Sequence, residues 1–196
     1  YGAHKKAVVE AALAKAGVRA PVLNPIIVPP KTRRRAVFKI KSLPEGLHIG
    51  FHAARSHTIV DMHQCEVLTP RLLTLVGDLR ARLEAQFGVG EAAALHVTET
   101  PTGFDAVLRW QRTPPPHLIA GLSKALGGTG LARLVMNGQM VFETAAPAVL
   151  LGGIKVALPP GAFLQATAQG EAALQARVKD IVGSAKTLAD LFAGCG

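Results

Sequence analysis

Apolar residues recur every three or four positions in four segments of the chain, the spacing that places them on one face of a helix. The clearest helix begins with Thr69 as its N-cap and Pro70 at its first position, and Gly88 ends it. Its apolar face is predicted to contain Leu72, Leu73, Val76, Leu79, Leu83 and Phe87. The other helices are predicted at His4–Lys15, Leu118–Leu126 and Ala168–Val182, the last with Ala172, Ala173, Ala176 and Val178 towards the core.

Apolar and polar residues alternate between these helices, as they do in half-buried strands. Strands are predicted over residues 36–41, 48–51, 58–60, 95–100, 104–110, 131–136, 139–143, 154–158 and 187–192. Turn sequences join several of them into hairpins, and Asn137-Gly138 is the strongest of these signals. Residues 1–158 are therefore predicted to form an α+β fold with an antiparallel sheet and packed helices. The helix, apolar strand and glycines of residues 159–196 predict the beginning of an α/β domain.

Positive charge is concentrated at one end of the chain. Residues 1–60 carry 11 basic and 2 acidic side chains, whereas residues 61–196 carry 11 of each, so the net charge of +9 belongs to the first part. Arg33, Arg34, Arg35 and Lys39 lie at the start of a predicted strand and within it, and guanidinium groups match the geometry of phosphates. This pattern predicts a surface that binds nucleic acid. The alternative is a solvated edge strand whose charges prevent aggregation.

Several classes of protein are disfavoured by composition. No run of 18 apolar residues is present, so no membrane span is predicted, and the polar Tyr1–Lys6 stretch gives no sign of a signal peptide. Cys65 and Cys195 are far apart, which favours a reducing cytoplasm over a disulfide framework. The chain begins at Tyr1 and stops after glycines, which suggests a piece of a longer protein, with a processed small protein as the alternative.

Two groups of residues are candidates for ligand binding. Four histidines precede Cys65 in the sequence: His48, His52, His57 and His63. Their spacing fits no standard zinc pattern, so surface histidines are favoured over a His/Cys metal hydrolase. The turn from Gly194 to Gly196 follows an apolar strand and would let a nucleotide-type ligand approach the backbone. On that motif alone, an ordinary turn from strand to helix is the better explanation.

Taken together, four segments occur in an order that resembles the bacterial RNA uracil-5-methyltransferases: RRRAVFKI, LHIGFHAARSHTIVDMHQCEVL, GAFLQAT and ADLFAGCG. The resemblance covers nearly the whole chain. It implies a central RNA-binding domain in residues 1–158, followed from residue 159 by the start of a Rossmann-like class I methyltransferase domain. Cys65 matches the fourth cysteine of a 4Fe-4S cluster in the ribosomal RNA branch, which implies 23S rRNA rather than tRNA as the substrate. In that branch the other three cysteines lie in a short run just before the position that matches Tyr1, so the cluster is expected in the full-length protein and not in this chain alone.

The same resemblance implies a site for S-adenosylmethionine. Gln165 matches a glutamine that contacts this cofactor. Phe192, Gly194 and Gly196 match the turn on the methionine side of the cofactor, with Asp190 in a supporting position.

The resemblance also implies what this chain lacks. The family attacks uracil C6 with a cysteine thiolate, and a general base removes the C5 proton. Both residues lie well beyond the glycine turn in the family, so no catalytic residue is expected here, Cys195 is not the nucleophile, and the chain alone is expected to be inactive. Thr167 and Ala193 depart from the family pattern of Asn and Cys. A non-enzymatic RNA-binding module is the alternative function.

Overall fold

The computed structural model describes residues 1–113, 115–191 and 193–194. Within these ranges the helices are α1 (Gly2–Lys15), α2 (Pro70–Leu83), α3 (Pro116–Leu126) and α4 (Ala168–Val182). The strands are β1 (Arg35–Leu43), β2 (Gly46–His52), β3 (Ile59–Asp61), β4 (Ala92–Thr100), β5 (Gly103–Trp110), β6 (Leu131–Met136), β7 (Gln139–Glu143), β8 (Ala148–Leu151) and β9 (Ile154–Ala157).

Seven of these strands form one sheet, in the order β3-β2-β1-β4-β5-β6-β7. Neighbouring strands are antiparallel except β5 and β6, which run parallel because α3 carries the chain across between them. Helices α2 and α3 pack against one face and bury a core that includes Phe38, Ile40, Leu72, Leu79, Leu108, Leu122 and Leu134. Strands β8 and β9 form a separate hairpin. The arrangement agrees with the predicted α+β fold.

Helix α2 follows its sequence signals at the start more closely than at the end. The Thr69 hydroxyl accepts a hydrogen bond from the Leu72 N–H at 3.2 Å, as an N-cap does. The helix ends at Leu83, and a 3₁₀ turn over Glu84–Gln86 leads to Phe87, so the α-helix stops earlier than Gly88. Its buried face is Leu72, Leu75, Val76, Leu79 and Leu83, and Leu73 is half-buried.

The hairpin between β6 and β7 has the predicted bounds. Asn137 has φ of +49° and Gly138 has φ of +86°, the two positive values that a tight turn of this kind requires. The Asn137 side chain is also bonded to both backbone groups of Trp110, which ties the turn to the end of β5.

Two predictions about the C-terminal part are wrong. Helix α4 has the predicted bounds, but it has no buried residue: Ala172, Ala176 and Val178 are exposed, and Ala173 is half-buried. No strand forms in the described part of residues 187–192, where Leu188 and Leu191 are 67% and 85% exposed. A buried strand needs hydrogen-bonded neighbours on its edges, and none of the described strands pairs with this segment.

Candidate nucleic-acid interface and cofactor segment

The face of the seven-stranded sheet that points away from α2 and α3 is only partly covered. Alternation along each strand decides which side chains it carries, since those between the core positions must point outwards. We call this surface the open face, and its main residues are Arg35, Val37, Lys39, Lys41, His48, Ala94, His96, Val107 and Arg109.

Three cations of the open face surround one histidine. His96 pairs with Val37 of β1 and Val107 of β5, so Arg35, Lys39 and Arg109 occupy diagonal positions around it. None of these three cations forms a salt bridge within the described residues.

The electrostatics of His96 reflect this setting. Partial burial, followed by the positive charges of Arg109, Arg35 and Lys39, holds the pKa of His96 below its ordinary value. The imidazole is therefore neutral near pH 7. The open face combines uncompensated positive charge with a neutral ring, an arrangement suited to an anionic ligand that also carries planar groups.

The three consecutive arginines do not lie on one surface. Arg33 is exposed, and its backbone bonds Val67 and Thr69 before β1 begins. Arg35 reaches the open face. Arg34 points elsewhere: its guanidinium lies 2.8 Å from a Glu171 carboxylate oxygen at the start of α4, and both side chains are mostly buried.

Arg34 instead joins the sheet to the segment that precedes α4. Its Nε donates to the Gln165 carbonyl at 3.3 Å, and its backbone N–H donates to the Ala166 carbonyl at 2.8 Å. With the Glu171 ion pair, these contacts fix the segment at both the backbone and the side chain. Arg34 is thus occupied within the chain.

A second joint lies at the opposite end of the same segment. Asp105 and Arg133 are buried and paired at 2.8 Å. Arg133 also donates to the Leu158 carbonyl at 2.9 Å, and Asp105 accepts from the Gly161 N–H at 3.0 Å. A Cβ at Gly161 would lie 3.3 Å from a Val107 methyl group, and its φ is +69°, so glycine suits this close crossing. The Asp105–Arg133 pair therefore holds residues 158–161 against the sheet; we call this pair and its two backbone contacts the clamp.

Between these joints the segment presents Phe163 and Gln165. Phe163 is 66% exposed, with the Arg35 guanidinium 5.0 Å from its ring centre. The Gln165 side chain is half-buried and makes no hydrogen bond to the described residues. The contact of this side chain with the cofactor, which the resemblance implies, stays a prediction.

The remaining predicted cofactor residues follow α4. Asp190 is exposed, and Gly194 has φ of +64°, the left-handed conformation expected of a glycine turn. Phe192 and Gly196 lie outside the described residues. This part of the predicted site therefore stays a prediction.

The described residues around Cys65 do not form a metal site by themselves, and the cluster that the resemblance implies, with its other three cysteines outside this chain, stays a prediction. Cys65 is the only cysteine in the described ranges, and a 4Fe-4S cluster takes four such ligands. No group of three or more His, Cys, Asp or Glu side chains in those ranges is placed to hold a metal ion. His52 and His57 contact each other edge to face, and His63 pairs with Asp61 at 2.8 Å. The interpretation as surface histidines suits these contacts.

Asp61 connects β3 to the helical layer. It accepts hydrogen bonds from the Ile49 N–H and from the Arg80 guanidinium, both at 2.9 Å. Burial by itself raises the pKa of Asp61, but these two bonds and the neighbouring positive charge together hold that pKa below its ordinary value. The contacts indicate a structural role.

Sequence reasoning missed His96 and Arg109. Alternation in β4 and β5 could have placed both opposite the core residues, because Leu95, Val97 and Leu108 point inwards. Their convergence with Lys39 depends on the pairing of β1 with β4 and β4 with β5, which no local pattern specifies.

None of the helices in the described ranges is long and apolar enough to cross a membrane.

Comparison with known proteins gives a consistent class. No protein-family model matches the chain. An uncharacterized RNA methyltransferase of Rhizobium meliloti is 35% identical over 196 residues, which is 100% of this chain and 47% of that protein. A similarly named protein of Agrobacterium fabrum is 34% identical over 197 residues, again 100% of this chain and 47% of the relative. The chain thus spans about half the length of the curated relatives that it matches. Its resemblance to RNA methyltransferases is confirmed along its whole length.

Two further matches are more specific in name. A stretch of 79 residues, 39% of this chain, is 38% identical to 18% of the 23S rRNA (uracil(1939)-C(5))-methyltransferase RlmD of Cronobacter sakazakii. The tRNA (uracil-54, C5)-methyltransferase of Pyrococcus abyssi, solved with S-adenosyl-L-homocysteine, superposes with a TM-score of 0.63. That superposition covers 91% of this chain and 48% of the other at 13% identity, so it supports the fold.

Proposed function

We propose that the protein containing this chain transfers a methyl group from S-adenosylmethionine to C5 of a uridine in RNA. The observation that carries the proposal is the cationic open face, which lies directly beside the segment carrying Gln165 and Phe163. Relatives named RNA methyltransferases, one of them a 23S rRNA uracil-C5 enzyme, support it. The open face has the charge to bind a polyanion, and the neighbouring segment has the exposed groups to bind a small ligand.

The described residues divide into two roles in this proposal. Arg33, Arg35 and Lys39 contact RNA phosphates and set the position of the strand. Gln165 offers its amide to S-adenosylmethionine, which supplies the electrophilic methyl group when bound. Asp190 and the turn at Gly194 would complete the cofactor contact, together with Phe192 and Gly196.

Arg34 is a positioning residue in this account. It is mostly buried against Glu171 and bonded to the Gln165 carbonyl, so it holds the cofactor segment at a fixed place relative to the open face. The nucleophilic cysteine and the general base belong to the part of the protein beyond residue 196, as the family resemblance implies. We propose residue 158 as the end of the RNA-binding domain and residue 159 as the start of the methyltransferase domain.

Two further details of the proposal rest on the sequence. The substrate rests on the match of Cys65 to the ribosomal RNA branch, and the location rests on the wide separation of the two cysteines. We propose 23S rRNA rather than tRNA as the substrate and the cytoplasm as the location. As the resemblance to the ribosomal RNA branch implies, Cys65 would be one of the four cysteine ligands of a 4Fe-4S cluster in the whole protein.

Methyl transfer tests the proposal directly. The whole protein is incubated with S-adenosylmethionine carrying a labelled methyl group and with 23S rRNA lacking modifications, and the digested nucleosides are separated. The expected product is labelled 5-methyluridine, and tRNA is the comparison substrate. Label in another nucleoside would contradict the proposed reaction, and RNA binding without label would favour the non-enzymatic RNA-binding module.

A further inference from the structure

We propose that the open face binds a single, unpaired strand of RNA in a groove that passes over Ala94 between Lys39 and Arg109. The inference rests on the proposed function and goes beyond it, because it adds Arg109 and His96 to the binding surface and specifies the form of the RNA. It concerns the part of the RNA that lies outside the reacting uridine.

The strand register forms the groove. Ala94 pairs with Lys39 on β1 and with Arg109 on β5, and Gly50 lies on the far side of Lys39. The backbones of the two cationic positions are therefore about 10 Å apart, twice the spacing between neighbouring strands. Because the short side chain of Ala94 lies between the long side chains of Lys39 and Arg109, the surface is depressed at Ala94 and positively charged on both sides.

Two clefts extend from this point and share Arg109. One has a volume of about 390 Å³ and is lined by Lys39, His52, Ala94 and Gln111 among others. The second is about 540 Å³, with Val107, Val135 and Met140 in its wall. A polymer with alternating charged and planar apolar groups would place its charges at Lys39 and Arg109 and its planar groups in the two clefts.

Charge favours a polyanion over other partners. The acidic residues that the register places on this face include Asp105 and Glu143, and both are paired with Arg133. Asp105 is buried and also accepts from the Gly161 N–H, whereas Glu143 is partly exposed. Lys39 and Arg109 have no carboxylate partner among the described residues. Phosphates along a strand would neutralise both cations without displacing an internal ion pair.

The planar groups favour a single strand over a duplex. Unpaired bases can turn outwards and stack on aromatic rings or guanidinium planes, whereas paired bases are stacked within the helix. Phe163 stands exposed at the end of the face, beside Arg35, and His96 lies near its centre as a neutral ring. A duplex would touch the rims with its phosphates and leave both clefts unfilled.

The test measures binding of labelled RNA to the 196-residue chain by fluorescence anisotropy. The probes are an oligouridine of about 12 nucleotides and a duplex of the same length. The double variant K39A/R109A is compared with the control K155A/K186A, which removes two exposed positive charges that are not part of the open face. Circular dichroism checks that both variants keep their fold.

We expect the wild-type chain to bind the single strand more tightly than the duplex. K39A/R109A should weaken single-strand binding about tenfold or more at moderate salt, while the control changes it less than about threefold. The slope of log K against log salt should also become shallower by about 1.4, the contribution of two phosphate contacts on a single strand.

Equal losses in the two variants, or equally tight binding of the duplex, would overturn the inference. Methyl transfer by the whole protein is measured separately on the same variants. Methylation with full RNA affinity in K39A/R109A would refute the groove and leave the proposed function standing. RNA binding through the groove without methyl transfer would refute the proposed function and leave the groove.

Discussion

Removing the buried carboxylate of Asp105 should destabilise the chain strongly. Asp105 and Arg133 are 2% and 5% exposed at their side chains, and Asp105 also holds the Gly161 N–H. Asp105→Ala leaves the Arg133 guanidinium buried without its main partner, since Glu143 lies 3.4 Å away and is partly hydrated. Breaking one partner of a buried pair costs about 3–5 kcal/mol in free energy of unfolding. For a chain of this length that corresponds to a fall in Tm of about 6–20 °C.

Urea unfolding followed by Trp110 fluorescence measures this effect, because Trp110 is buried and stacks on Phe87 with ring centres 3.9 Å apart. The double variant Asp105→Ala/Arg133→Met should recover at least half of the loss, since it removes the unpaired charge and keeps an apolar stem. Asp180→Ala serves as the control, because its ion pair with Arg177 is exposed and should contribute less than about 1 kcal/mol. A loss below about 1 kcal/mol for Asp105→Ala would refute the assigned role of this clamp.

Three smaller predictions follow from other contacts. Because the pKa of His96 is lowered in the folded chain, the unfolded chain binds the proton at a higher pH, so the free energy of unfolding should fall as the pH drops below about 6.5 and level off below the lowered pKa. NMR titration of the ring should show that this pKa rises when RNA is bound. An unchanged pKa would contradict RNA binding at the open face. Because the pKa of Asp61 is lowered in the folded chain, its carboxylate stabilises the fold above about pH 4, and this stabilisation is lost as the pH falls further. Asp61→Asn should therefore reduce the slope of the free energy of unfolding against pH at acid pH. An unchanged slope would count against the Arg80 contact. Thr69→Ala should cost about 1 kcal/mol in thermal unfolding by removing the α2 N-cap, and no measurable change would show that the cap is dispensable.

Local signals predicted the central sheet and α2 well because several of them agree at the same residues. Asn137 and Gly138 favour a turn with two positive φ values, and strands of the predicted length flank it. Thr69 and Pro70 likewise identify the start of a helix whose apolar face is already evident from spacing. Consistency between turn, cap and periodicity makes these parts predictable from the sequence alone.

The C-terminal part was less predictable for a physical reason. An apolar run is compatible with a buried strand only if neighbouring strands cover it, and the run at Leu188 and Leu191 has no such neighbour in the described ranges. In α4 the alanines and Val178 have the spacing of an amphipathic helix, but spacing does not establish that a partner surface exists.

The open face was predicted in part. The concentration of charge in the sequence identified β1, and the structure places Arg35 and Lys39 of this strand on the open face. The concentration of charge assigned Arg34 to the same surface, because composition does not distinguish a free guanidinium from one paired with Glu171, a residue far away in sequence. Arg109 was missed for the corresponding reason, since its place beside Lys39 depends on pairing across β4.

The most direct test of the central claim is the map of 5-methyluridine in RNA from cells with and without the gene. Deletion should remove the modification at a defined uridine of 23S rRNA, and the intact gene should restore it. A gene carrying Gln165→Ala should restore it poorly, because the proposed amide contact with the cofactor is lost. An unchanged map of 5-methyluridine in both ribosomal and transfer RNA after deletion would contradict the claim.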